Sequence, residues 1–215
     1  MKKISTLILP WFKNHGRWFP WRKNITPYRI LISEWMLQRT RADLVPEIYN
    51  RFLKKFPSLD CLLIHNKKTQ QNLIDLVRPL GRTQRWKTLQ KAAVELWENY
   101  QGIPADPQVL EGVYGLGRYI SRAVCIFGYG LDYGLVDPGI IRVFERCWSF
   151  FSQKKRPRDD MELWRFADSL IVPGTASEIN WGLIDIGALL CKKKNPFCES
   201  CPLKTICIFY QECKP

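Results

Sequence analysis

Apolar residues recur along most of the chain at intervals of three and four, the spacing that lines one face of a helix. Val45, Ile48, Tyr49, Phe52 and Phe56 make one such stripe, and Trp86, Leu89, Ala93, Leu96, Trp97 and Tyr100 make another. There is no sustained alternation of apolar and polar positions, so nothing predicts a β-strand. The pattern predicts an all-α chain of about ten helices joined by short connections punctuated with Pro and Gly. Asp106-Pro107 has the chemistry of an N-cap followed by proline at the first helical position. Thr175 with Glu178 suits a reciprocal capping box. The start, Met1 to Pro10, briefly imitates an export leader. Pro10 cuts the apolar run, Lys13, His15 and Arg17 follow, and no small-residue cleavage site appears, so a short amphipathic helix is expected. No apolar run approaches the roughly 20 residues that span a bilayer. These features predict a cytoplasmic protein, nucleoid-associated in a prokaryote, with no membrane partner.

Composition changes this picture in two ways. The 215 residues, 46% hydrophobic, can bury one large core or two small ones and exclude a disordered chain. The 33 Lys and Arg against 20 Asp and Glu leave a net charge of +13. That excess points to a polyanionic partner, nucleic acid before an acidic membrane surface. Lys154-Lys155-Arg156-Pro157-Arg158 is the clearest basic run, either a solvated loop or a phosphate contact, and Lys192-Lys193-Lys194 is a second.

Of eight cysteines, Cys61, Cys125 and Cys147 lie among apolar residues and read as small buried hydrophobes. Cys191, Cys198, Cys201 and Cys207 are separated by six, two and five residues, and Cys213 is left over. Four thiolates on such short loops can close around one metal centre at little entropic cost. A structural zinc site usually shows two close pairs of ligands, whereas here only Cys198 and Cys201 make one. The rhythm fits a [4Fe–4S] cluster, with zinc or unligated thiols as the alternatives.

Two further segments carry candidate chemistry. In Val113-Tyr114-Gly115-Leu116-Gly117-Arg118-Tyr119, two glycines around one apolar residue make a tight hairpin between helical stretches. It is either an ordinary turn or, with outward backbone N–H groups, a sequence-independent seat for phosphate. In Val136-Asp137-Pro138-Gly139, Asp137 precedes a proline at a helix start. It either only caps or also serves as a fixed anion, favoured by the helix dipole.

Together these segments resemble the endonuclease III and MutY superfamily of DNA glycosylases, whose cluster signature has the cysteine rhythm seen here. The resemblance runs from about residue 17 to 207. Phe19-Pro20-Trp21-Arg22 and Pro27 to Thr40 look like the first block of MutY and its mismatch-specific relatives. The hairpin, about 108–124, is similar to the family's helix-hairpin-helix, with Tyr114 where the family usually has proline. The implied fold is an all-α, two-domain helix-hairpin-helix glycosylase. Residues 23–135 would form a six-helix barrel domain, and residues 1–22 with 136–215 the iron–sulfur cluster domain, with DNA in the cleft between.

The resemblance also implies roles. Asp137 would stabilise oxocarbenium character on the sugar, and Glu34 would protonate the leaving base. Gln38 would fill the gap left by the everted nucleotide. Arg39, Gly115, Gly117 and Arg118 would contact DNA. Endonuclease III-like enzymes carry a lysine where this chain has Tyr119, and tyrosine cannot form a Schiff base. The implied activity is therefore that of a monofunctional enzyme, acting as a monomer on double-stranded DNA that contains a mismatched or damaged base. Arg39-Thr40, Gln84-Arg85 and Gly117 to Tyr119 look closer to archaeal-type thymine–DNA mismatch glycosylases, which remove thymine or uracil opposite guanine. MutY-type adenine removal, another lesion, and a catalytically silent DNA-binding relative stay open. Classical MutY proteins have a further C-terminal domain, which is not expected here, where eight residues follow Cys207.

Overall fold

The computed structural model describes residues 2–64, 66–81 and 84–212, so Cys213 and its role lie outside the described residues. Among the described residues there are eleven α-helices and no strand. They fall into two compact units: residues 18–129, and residues 1–17 with 130–215. The divisions stand at 17/18 and 129/130, where the sequence suggested 22/23 and 135/136.

The unit of residues 18–129 is built on α2 (Pro27–Leu37). Thr26 caps it by accepting from the Arg29 N–H at 3.2 Å, and Pro27 occupies the first turn. Tyr28, Ile30, Leu31, Ile32, Trp35 and Met36 are all buried, as expected of a helix covered on every side. α3 (Val45–Lys55) packs on it through Val45, Ile48, Tyr49 and Phe52, and the whole predicted stripe, Phe56 included, is buried. α4 (Lys67–Val77) and α5 (Gln84–Tyr100) follow. The α5 stripe is buried from Trp86 to Leu96, but Trp97 is half-buried and Tyr100 exposed, because among the described residues nothing covers the last turn. α6 (Pro107–Gly112) and α7 (Arg118–Ala123) flank the hairpin, and α7 runs on as a π-turn over Val124–Gly128. Asp106 caps α6 as expected, accepting from the N–H groups of Gln108 and Val109.

The other unit joins the chain ends. α1 (Lys2–His15) lies on α10 (Ala176–Leu189). The approach is close enough that a Cβ at Gly182 would sit 2.4 Å from Ile8 Cγ2. Arg17 fastens the exit of α1, giving its backbone N–H and Nε to the buried carboxylate of Asp185, both at 2.7 Å. α8 (Pro138–Trp148) crosses α10 where Gly139 meets Gly187, backbone against backbone. α9 (Met161–Ser169) adds Phe166 to a cluster with Phe144, Trp148 and Phe150, and α11 is Ile208–Glu212. The capping box predicted at Thr175 does not form: its hydroxyl donates backwards to the Val172 carbonyl at 2.7 Å and leaves the N-terminus of α10 without a side-chain cap. Cys125 and Cys147 are buried as expected, but Cys61 is only half-buried, beside the Ser58 hydroxyl.

Candidate active site and cysteine cavity

Asp137 is placed by an irregular segment, residues 131–136, that enters α8. Asn180, fully buried on α10, accepts from the Leu135 N–H at 2.8 Å and donates to the Tyr133 carbonyl at 2.9 Å. Asp168 accepts from the Gly134 N–H at 2.7 Å. These bonds satisfy backbone groups that no helix partner pairs. Asp137 then caps α8, with Oδ1 taking the Ile140 N–H at 2.6 Å. A helix N-terminus favours an ionised carboxylate, yet the net shift runs the other way. Burial pushes the Asp137 pKa up, opposed by the Ile140 N–H, the Arg158 guanidinium, the Gly139 N–H and the Arg142 guanidinium. Desolvation outweighs the dipole because the cap bond compensates only part of the lost water. A desolvated anion is also the stronger partner for a developing positive charge.

The other expected catalytic and DNA-contact residues lie in the unit of residues 18–129. Glu34 is buried on α2 rather than facing solvent. Tyr119 is half-buried on α7. Gln38 ends α2, and Arg85 holds it twice, through the Gln38 carbonyl at 2.5 Å and Oε1 at 3.3 Å. Arg39 is exposed with φ of 58°, a left-handed conformation that costs a non-glycine residue free energy. In the hairpin, Gly115 has φ of 83°, and a Cβ there would meet Thr88 Cγ2 at 2.4 Å, so glycine is required. A Cβ at Gly117 would meet nothing. Tyr114 gives its backbone N–H to Glu95 at 3.0 Å and stands exposed, with Lys91 over its ring. Arg118 is paired with Glu111 through both Nε and Nη2 at 3.1 Å.

The four spaced cysteines line one small cavity, shared with Arg146, Leu190, Phe197 and Phe209. Among the described residues, no three His, Cys, Asp or Glu side chains converge as the ligands of a single ion would. α8 braces this loop with two arginines spaced i, i+4. Arg142 donates to the Cys191 and Gly187 carbonyls at 2.5 and 2.6 Å. Arg146 reaches the Lys192 carbonyl at 2.7 Å and the Cys191 sulfur at 3.5 Å. A hydrogen bond from Cys147, with the N–H groups of Tyr210 and Phe209, brings the Cys207 thiol down to about 6, while burial drives Cys201 up to about 11. Sequence reasoning used Arg85 only for the resemblance and passed over Arg142 and Arg146; all three hold other groups in place. The i, i+4 pair following Asp137 was the available signal.

Comparison with known proteins settles the lineage. No family model matches the chain. It is 34% identical over 216 aligned residues to the thymine/uracil-DNA glycosylase of Pyrobaculum aerophilum, covering 98% of this chain and 93% of that protein. The chain belongs to the helix-hairpin-helix DNA glycosylases. It is 33% identical to the thymine-DNA glycosylase of Aeropyrum pernix, across 98% of this chain and 95% of that one. The adenine DNA glycosylase of Buchnera aphidicola subsp. Baizongia pistaciae is 34% identical over 94% of this glycosylase, which spans 57% of that longer protein. A thermostable thymine-DNA glycosylase superposes with a TM-score of 0.89 at 29% identity, over 99% of this chain and 97% of that one. A trapped endonuclease III–DNA intermediate shares the fold, with a TM-score of 0.80 at 21% identity over 98% and 95% of the two chains. Among the described residues no helix is long and apolar enough to cross a membrane.

Proposed function

We propose that this glycosylase removes thymine or uracil opposite guanine from duplex DNA by hydrolysis, leaving an abasic site. The observation that carries the reading is Asp137, a desolvated carboxylate fixed as the cap of α8 and reached by a segment hydrogen-bonded to Asn180. Its charge stabilises the sugar as the glycosidic bond lengthens. Glu34, buried on α2, protonates the leaving base. Tyr119 offers no amine, so water attacks and no Schiff base forms. Gln38, held by Arg85, fills the vacated stack, and exposed Arg39 meets the backbone. Gly115, Gly117 and Arg118 form the hairpin seat for phosphate, with backbone groups leading because Arg118 is engaged by Glu111. The thymine- and uracil-specific relatives support the choice of base.

Cys191, Cys198, Cys201 and Cys207 would hold a [4Fe–4S] cluster. The donor set fits such a group: four thiols line one cavity, and one of them has its pKa already lowered. When bound, the cluster supplies cross-linking of the loop and a local charge.

The test is base release from labelled duplexes carrying G:T, G:U, A:G or adenine opposite oxidised guanine, read after alkali. Release from G:T or G:U is expected. Release confined to the adenine duplexes would move the enzyme to the adenine class, and release from none would make it a DNA-binding relative.

A further inference from the structure

Apart from the pull of Arg158 on Asp137, the basic run at residues 154–158 has no part in the chemistry above, yet the structure gives it a defined shape. Ser149, at φ of 51°, ends α8 and turns the chain into a loop that returns at α9. The Ser152 hydroxyl closes that loop on Asp160 at 2.6 Å and also accepts the Lys154 N–H at 3.1 Å. Asp160 takes the Glu162 N–H at 3.1 Å, capping α9, and Trp164 Nε1 donates to the Arg158 carbonyl at 2.8 Å. This internal bonding holds the loop in place while Lys154, Lys155, Arg156 and Arg158 stand exposed. Phe151 is 61% exposed beside them, an aromatic among cations as on nucleic-acid-facing loops.

Position strengthens the case. Arg158 acts on Asp137 through space, so its guanidinium lies in the neighbourhood of the reacting sugar if Asp137 acts there. The nearest anions to that sugar, apart from Asp137 itself, are the phosphates of the same nucleotide.

We propose that the loop between α8 and α9 is a DNA phosphate-binding surface, with Arg158 engaging the backbone beside the nucleotide that Asp137 serves. This rests on the glycosylase reading, and the experiment separates the two. Affinity for a G:U duplex and for its fully paired counterpart is measured across a salt series. The wild-type protein is compared with a variant carrying Lys154→Ala, Lys155→Ala, Arg156→Ala and Arg158→Ala. A control carries Lys54→Ala, Lys55→Ala, Lys67→Ala and Lys68→Ala, which removes the same charge from exposed positions of the other unit.

For every phosphate that the protein no longer neutralises, the slope of log K against log[salt] should flatten by about 0.9. The loop variant should therefore have a slope shallower by roughly 2–4 on both duplexes, since phosphate recognition carries no sequence information. The control should change by less than 1, roughly the equivalent of one phosphate. Arg158→Lys alone, which keeps the charge, should retain the wild-type slope. A loop variant with the wild-type slope, or one no flatter than the control, overturns the proposal. Failure of the wild-type protein to release any base would instead sink the glycosylase reading, leaving the slope comparison to judge the loop.

Discussion

Replacing Asp137 by asparagine separates the chemistry of this residue from its structural duty. The carboxylate caps α8 through Oδ1, which takes the Ile140 N–H at 2.6 Å. Asparagine caps about as well, so the helix start should survive and only the charge is removed. A unit anion about 4 Å from a sugar cation, at an effective dielectric near 20, is worth about 4 kcal/mol. At ~1.4 kcal/mol per decade, single-turnover base release should fall roughly a thousand-fold, with mismatch binding largely kept. Stability should move the other way. Burial raises the Asp137 pKa in the folded chain above its ordinary 3.8, so the folded state holds that proton more tightly than the unfolded one. Stability contributed by the group is then lost as pH rises from 3.8 through the folded value. At pH 7 the ionised carboxylate is a net cost that asparagine removes. Asp137→Asn should thus melt at the same temperature as the parent or higher at neutral pH, with the gap closing towards acid. Near-normal turnover would refute the catalytic role, and a lower Tm at neutral pH would refute the account of a desolvated anion.

Three further outcomes are expected. Because Asp137 must be ionised to act, single-turnover rates should drop as pH falls, on an acid limb centred above 3.8; a limb at or below that value contradicts the raised pKa. Cys198→Ser should lower iron content, absorbance near ~400 nm and soluble yield together. Parent protein prepared anaerobically without iron or that absorbance would count against the cluster. Gly115→Ala forces a Cβ to within 2.4 Å of Thr88 Cγ2 at a positive φ. It should cost about 2 kcal/mol, a Tm decrease of roughly 4–8 °C. An unchanged melt would show that the hairpin can relax at no cost.

Helical class, the stripe from Val45 to Phe56, the caps at Asp106 and Asp137 and the cysteine spacing were all legible in the chain, because each depends on neighbours within a few residues. The failures share a cause. At Thr175 the hydroxyl had a competing acceptor one turn back, the Val172 carbonyl, which a capping pattern does not weigh. At Tyr100 the periodicity continued past the point where any partner covered it.

Periodicity, capping chemistry and spacing thus determined which segments are helices, which thiols belong together and which carboxylate starts α8. Tertiary structure decided the rest. It made Asn180 the brace of the segment leading to Asp137, set Arg142 and Arg146 against the cysteine loop, and put Arg85 on Gln38. It also turned the expected sign of the Asp137 shift from lowered to raised. A helix dipole can be read from one residue and its successors, but desolvation is a sum over every atom that excludes water, and most of those atoms are distant along the chain.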